Sequence, residues 1–218
     1  IFAHAIYPKG LPFLSPVYAP PDVSFASWAG AQEPTWQGMQ YAYNAMFRSA
    51  KKGYVNVGSD VGGFENGERT NTLFTRWAQL GALSPIMENG GLGEHRPWYY
   101  NEQTLSIYRQ FAKLHTQLAP YLFSQGAQAY FTGASLFKPL GDEYAHRYLL
   151  GDSLFCTAIL SDDSGVWVTL PDDSDWFGFF DNVQYPAGGV FYREYPIEEY
   201  PLFVKKGAIL PMDFGKDF

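Results

Sequence analysis

A single cysteine, Cys156, in 218 residues leaves no partner for an intrachain disulfide, so a disulfide-stapled scaffold is excluded and cysteine pairing says nothing of compartment. Set in the apolar run SLFCTAIL, its thiol is expected to be buried. No run approaches the roughly 18 apolar residues of a membrane-spanning helix, so no membrane partner is expected. Basic residues are also short: 15 Lys and Arg against 22 Asp and Glu give a net charge of -7 and a pI near 5.0. Phosphate binding wants a basic face, so neither nucleic acid nor an anionic membrane surface is expected as a partner. His4, His95, His115 and His146 lack the paired spacing of a zinc site, and GSDVGGF lacks both the Lys-Ser/Thr of a phosphate loop and the helix placement of a dinucleotide fingerprint. No metal or cofactor is therefore expected. The chain opens with IFAHAIYPKG, an apolar strand-like run with neither a starting Met nor a basic leader, and a processed or truncated product is the expectation.

What is present is a globular composition. Hydrophobic residues make up 46% of the chain and aromatics 18%, enough for one large core or two small ones. That aromatic load serves either core packing or sugar-stacking platforms. The first half alternates short apolar runs with helical patterns, the arrangement of a parallel sheet whose strands are joined by helices. Strands are expected at LPFLSPVY (11–18), YVNVGSDVGGF (54–64) and ALSPIMENGG (82–91). A helix is expected from Thr35 to Ala50, with Trp36, Met39, Tyr43 and Met46 or Phe47 on one face. Another starts at a Thr70 cap and runs through Leu73, Phe74, Trp77 and Leu80 to Gly81, and a long one covers Asn101 to Tyr121. From about residue 122 short strand candidates and turn signals take over, with no second long helical pattern, so an antiparallel β domain is expected after a boundary near 122–140.

In parallel α/β architectures the chemistry sits in the loops at the C-terminal ends of the strands. Those loops hold SWAGAQEPTW (27–36), GSDVGGFE (58–65) and MENGGLGEHRPW (87–98). Glycines that admit a bulky ligand, tryptophans that stack on it and Asp, Glu, Asn and His that exchange hydrogen bonds with hydroxyls are what a carbohydrate pocket needs.

Five blocks then carry a resemblance to glycoside hydrolase family 31. GSDVGGF resembles its (S/H/P)DIGGF signature, and TRWAQLGALSP (75–85) its RW-x-Q-x-GAF-x-P segment. SWAGAQ resembles its W-x-GD, HRYLLGDSLFCTAIL (146–160) its YQ-x-GD-x-(L/F)-x-x-APV strand, and YPLFVKKGAILPM (200–212) its P-x-FV-(R/K)-x-GAI-x-P segment. The resemblance implies the C-terminal portion of a (β/α)8 TIM barrel, roughly its last three strands, within 1–125, followed by the antiparallel β-sandwich-like proximal C-terminal domain at 126–218. Its partners are then an oligosaccharide or glycoside substrate and the N-terminal remainder of the barrel, on the same or a separate chain.

It further implies a retaining α-glycosidase working with two aspartates through double displacement. The nucleophile belongs to a strand expected before Ile1. The general acid/base is the aspartate of W-x-GD, and the matching position here is Ala31. An alanine neither donates a proton to the leaving oxygen nor activates water. Trp28, Gly30 and the rest of the loop match while only the catalytic side chain is missing, which favours a substitution engineered to trap a substrate complex over a naturally degenerate sugar-binding homologue. An α-transglycosylase using the same carboxylates is the remaining alternative. Glu33 and Asp22 are nearby carboxylates, expected to point elsewhere.

By the same resemblance Trp28 walls the sugar pocket, Phe64 borders the leaving-group subsite and Asp60 supports the site or its arginine partner. Arg76 is expected to be a structural ion-pair partner. Two departures bear on the sugar: SPVY (15–18) stands where an arginine is usual, and Glu88, Asn89 and Gly90 stand where R-x-H is usual, followed by Glu94, His95 and Arg96. Glu88, Asn89 and His95 either read a different hydroxyl pattern, such as that of galactose or an N-acetylated sugar, or brace the rim.

Overall fold

A computed structural model of the chain describes residues 13–14 and 26–215. The opening IFAHAIYPKG with His4, the SPVY segment and Asp22 lie outside the described residues.

The first part is a four-stranded parallel sheet, ordered β1 (Phe13–Leu14), β2 (Ala26–Trp28), β3 (Asn56–Asp60), β4 (Ile86–Glu88). Four strands replace the expected three, because Ala26–Trp28 forms a strand where the sequence reads only a loop. Three residues are too few to show a period-two pattern, and this strand is held by neighbours on both sides, with Trp28 opposite Gly58. Gly58 is required there. A Cβ on it would lie 2.5 Å from the Ile86 carbonyl oxygen and 2.7 Å from the Ile86 Cβ. Gly58→Ala should therefore destabilise by about 1–3 kcal/mol, read as a lower denaturant midpoint, because backbone rather than a flexible side chain must yield.

Helix α1 (Trp36–Lys51) starts where Thr35 accepts the Gly38 N–H, and of the predicted face it buries Met39, Tyr43 and both Met46 and Phe47, with Trp36 half-buried at its start. Helix α2 (Asn71–Ala82) starts on Thr70, which accepts the Leu73 N–H, and is buried from Leu73 to Ala82. Its polar side meets the second domain rather than water. Arg76, 2% exposed, donates to the Glu199 and Tyr195 carbonyls at 2.7 Å each, and Gln79 donates to Ile197 O at 2.7 Å. The expected ion pair of Arg76 is thus replaced by hydrogen bonds to carbonyls of the segment 195–199.

The expected helix from Asn101 to Tyr121 is two helices, α3 (Glu102–Gln117) and α4 (Ala119–Thr132). Pro120 lies in the first turn of α4, where its missing N–H has no intrahelical acceptor to lose, so it opens a new helix instead of closing the old one. Gly133, at φ 69°, ends α4 in a left-handed cap. The stretch 122–132 is consequently helical, not the start of the strands.

An antiparallel six-stranded sheet follows. Its order is β10 (Gln184–Tyr185), β9 (Trp176–Gly178), β12 (Leu202–Lys205), β7 (Leu154–Thr157), β6 (Arg147–Leu150), β5 (Phe137–Leu140). A two-stranded ribbon of β8 (Gly165–Thr169) and β11 (Val190–Glu194) accompanies it. One apolar core runs through both parts: Phe137 stacks on Tyr148 at 4.1 Å, Tyr43 of α1 packs edge-on against Phe137, and Tyr148 donates to Leu83 O. Cys156 is fully buried in this core, and burial pushes its thiol up to about 12.

Candidate active site

Strand register decides which side chains meet. Ser59 accepts the Trp77 indole N–H at 3.1 Å from α2, so Ser59 faces the helix layer. Alternation along the strand then turns Gly58 and Asp60 to the opposite, inner face, and the in-register partners Trp28, Ile86 and Glu88 share that face. Asp60 and Glu88 are opposite each other at the C-terminal end of β3 and β4.

Asp60 is 1% exposed and accepts a 2.5 Å hydrogen bond from the Trp28 indole N–H, a contact between residues 32 apart in sequence. Burial raises its carboxyl above the ordinary range, and the indole hydrogen bond works against that rise. Phe64 meets the Trp28 ring edge to face, with centroids 5.3 Å apart. Trp28, Asp60 and Phe64, picked from separate stretches of sequence, therefore form one cluster. Glu88 is half-buried, and its Oε2 is shielded from solvent with no partner among the described residues. Burial and then the Asp60 charge push its carboxyl up.

Ala31 is exposed on a tight loop that leaves β2. Gly30 takes φ 96°, a left-handed value that favours glycine, and the Gln32 side-chain amide closes the turn on Ala29 O at 2.8 Å. The Glu65 N–H donates to Gln32 O, tying this loop to the one after β3. Ala31 and Glu33 both border an open cleft of about 480 Å³ that follows α1 past Tyr41 to Arg48. Glu33, expected to point elsewhere, lines the same cleft as Ala31. A second cavity of similar size lies along α3, away from the strand ends.

Asn89 and His95 are placed differently from Glu88. The His95 ring is buried, with Nδ1 3.2 Å from Val61 O and Nε2 3.0 Å from the Arg69 guanidinium. Burial and the Arg69 charge hold its pKa below the ordinary histidine value. Nε2 also lies 3.1 Å from Leu92 O: a proton on Nδ1 serves Val61 and lets Nε2 accept from Arg69, whereas a proton on Nε2 serves Leu92. Asn89 donates to His95 O at 2.8 Å. At the rim, Arg96 grips Glu94 through two hydrogen bonds, which hold the Glu94 carboxyl down at about 2.

The residue that organises these loops is Arg69, which the sequence reading did not single out. It is 7% exposed and donates to the carbonyls of Gly62, Gly63, Glu65, Gly67 and Leu92 at 2.7 to 3.0 Å, besides meeting His95. Its one visible signal is an arginine just before a helix cap and after a glycine-rich turn. Among the described residues no cluster of His, Cys, Asp and Glu could hold a metal.

Comparison with known proteins gives this geometry its relatives. Residues 22–125 match the glycosyl hydrolases family 31 TIM-barrel domain, and residues 128–210 match the glycosyl hydrolase family 31 C-terminal domain. An alpha-xylosidase of Emericella nidulans is 26% identical over 204 residues, which cover 86% of this chain and 26% of that protein. A 1,3-alpha-isomaltosidase of Kribbella flavida is 28% identical over 200 residues, 82% of this chain and 28% of that protein. A solved mutant of Kfla1895 in complex with cyclobis-(1->6)-alpha-nigerosyl superposes with a TM-score of 0.76 at 28% identity, covering 83% of this chain and 28% of that one. The chain thus spans about a quarter of the length of these relatives. With matches in both of its parts, and a sheet and β domain of the kind the matching domains describe, the chain belongs to glycosyl hydrolase family 31.

Proposed function

We propose that this chain supplies the last strands of the catalytic barrel, within 1–125, and the C-terminal β domain, 126–218, of a retaining α-glycoside hydrolase that removes terminal α-linked sugars by double displacement. The observation that carries the reading is the Trp28–Asp60–Phe64 cluster at the C-terminal ends of parallel strands, beside a loop whose acid/base position is Ala31. An indole fixed by a buried carboxylate offers a rigid wall for the apolar face of a pyranose. The nucleophile comes from the N-terminal remainder of the barrel, on the same or another chain.

Ala31 also favours a second reading, a sugar-binding homologue that does not turn over. Ala31→Asp in the full-length protein, assayed on aryl α-glycosides, separates the two: hydrolysis supports the enzyme, and sugar binding without hydrolysis supports the binder.

On the sugar, Glu88 faces the barrel interior, while Asn89 and His95 are engaged with loop backbone and Arg69. Glu88 is therefore the group we assign to hydroxyl discrimination, and Asn89 and His95 brace the rim loop. With Ala31→Asp in place, kcat/KM for aryl α-glucosides is expected to be no higher than for matched aryl α-galactosides. A strong glucoside preference counts against this assignment.

A further inference from the structure

A buried carboxylate, Asp60, and a half-buried one, Glu88, share one face, and among the described residues neither is paired with a cation. Asp60 and Glu88 are direct neighbours on adjacent parallel strands, which lie about 4.8 Å apart. The hydrogen bonds of Arg69 go to loop carbonyls and His95, none to Asp60 or Glu88, and Arg76 is committed to the segment 195–199 across α2. From β2 only the Trp28 N–H reaches the pair, and it reaches Asp60. On α2, Trp77 meets the opposite face of β3 through Ser59. Like charges on neighbouring positions with reduced solvation oppose one another's ionisation.

We propose that Asp60 and Glu88 hold one proton between them at neutral pH, so that Asp60 stays the charged acceptor of Trp28 and Glu88 presents a carboxylic acid O–H to the barrel interior. The proton goes to Glu88 because the short indole bond stabilises charge on Asp60, whereas Glu88 Oε2 is closed off with no donor. Burial and the Asp60 charge raise the Glu88 carboxyl in the same direction. As a neutral acid, Glu88 donates a hydrogen bond to a sugar oxygen, a role a carboxylate cannot take. That last role rests on the sugar-pocket reading above; the shared proton does not.

The test follows the Trp28 indole N–H signal in the full-length protein labelled with 15N-tryptophan, identified by its loss in Trp28→Phe. With no sugar present the signal is expected to respond in two steps, one well above the ordinary carboxylate value of about 4.3. Glu88→Gln, which keeps size and donor, should abolish the upper step. Asp60→Asn removes the neighbouring charge, so detection of the Glu88 carboxyl by 13C in that variant should show it titrating nearer the ordinary range. Because the folded protein holds this proton more tightly than the unfolded chain, the pair's contribution to stability is complete below about pH 4 and declines as pH rises through the upper step. Glu88→Gln should flatten that decline. A single step below about pH 5, or an upper step that survives Glu88→Gln, overturns the shared proton. Affinity for methyl α-glucoside and methyl α-galactoside, measured across the same range, should fall through the upper step in the parent and stay flat in Glu88→Gln. Binding without that pH dependence overturns the donor role. No sugar binding at any pH sinks the pocket reading instead, and the titration still decides the shared proton.

Discussion

Ala31→Asp in the full-length protein should raise kcat on α-glycosides by about 10² to 10⁴, the usual contribution of a positioned general acid/base. The loop has room for the side chain. Gly30 makes its tight turn, Gln32 closes it on Ala29 O, and the Glu65 N–H fixes it to the next strand end. Ala31 is exposed on an open cleft, so a carboxyl there displaces no core atom. Because the acid acts in the transition state, kcat should change far more than KM. The gain should be largest for substrates with poor leaving groups, which need the proton most, and smallest for nitrophenyl glycosides. The variant's pH profile should also gain a basic limb as the new acid loses its proton. Glu33 lines the same cleft, so Glu33→Gln in the Ala31 parent shows whether it supplies residual turnover. Unchanged kcat on every glycoside, with sugar still bound, points to the sugar-binding homologue.

The second large effect is expected at Arg69. Five carbonyls that now accept from its guanidinium would lose their donor in Arg69→Met. Two of these bonds, to Gly62 O and Gly63 O, are buried, and at about 1–3 kcal/mol for each unsatisfied buried group the loss is about 2–6 kcal/mol. That is a large share of the stability of a typical domain, roughly 5–15 kcal/mol. Local relaxation cannot easily recover it, since Gly62 and Gly63 hold left-handed turns that aim their carbonyls at this one guanidinium. Lysine is no substitute, because a single ammonium lacks the planar fork that reaches both sides of the loop. Chemical denaturation of Arg69→Met and Arg69→Lys should show a large drop in midpoint or failure to fold. Arg96→Met is the control: its pair with Glu94 is exposed, and its removal should leave the midpoint unchanged. An Arg69→Met protein with the parent's midpoint would mean that the loop after β3 stands without it.

The sequence by itself determined the α/β register of the first part, the helix starts at Thr35 and Thr70, the antiparallel character of the second part and the alanine at position 31. These are local matters: caps, periodicity and motif spacing act over a few residues, and a residue's identity is visible without coordinates. The strand Ala26–Trp28 and the helix Ala119–Thr132 escaped that reading, the first because its pairing is supplied by neighbours, the second because a proline marks a start as readily as a stop. Only the tertiary structure decided that Trp28 donates to Asp60, that Asp60 sits opposite Glu88, and that Arg69 rather than Glu94 or Arg96 holds the loops. It also separated Glu88, on the inner face, from His95, locked beneath the rim. The reason is register: a shift of one residue along β3 would turn Asp60 toward the helices, and no local propensity specifies which residue of one strand stands beside which of the next.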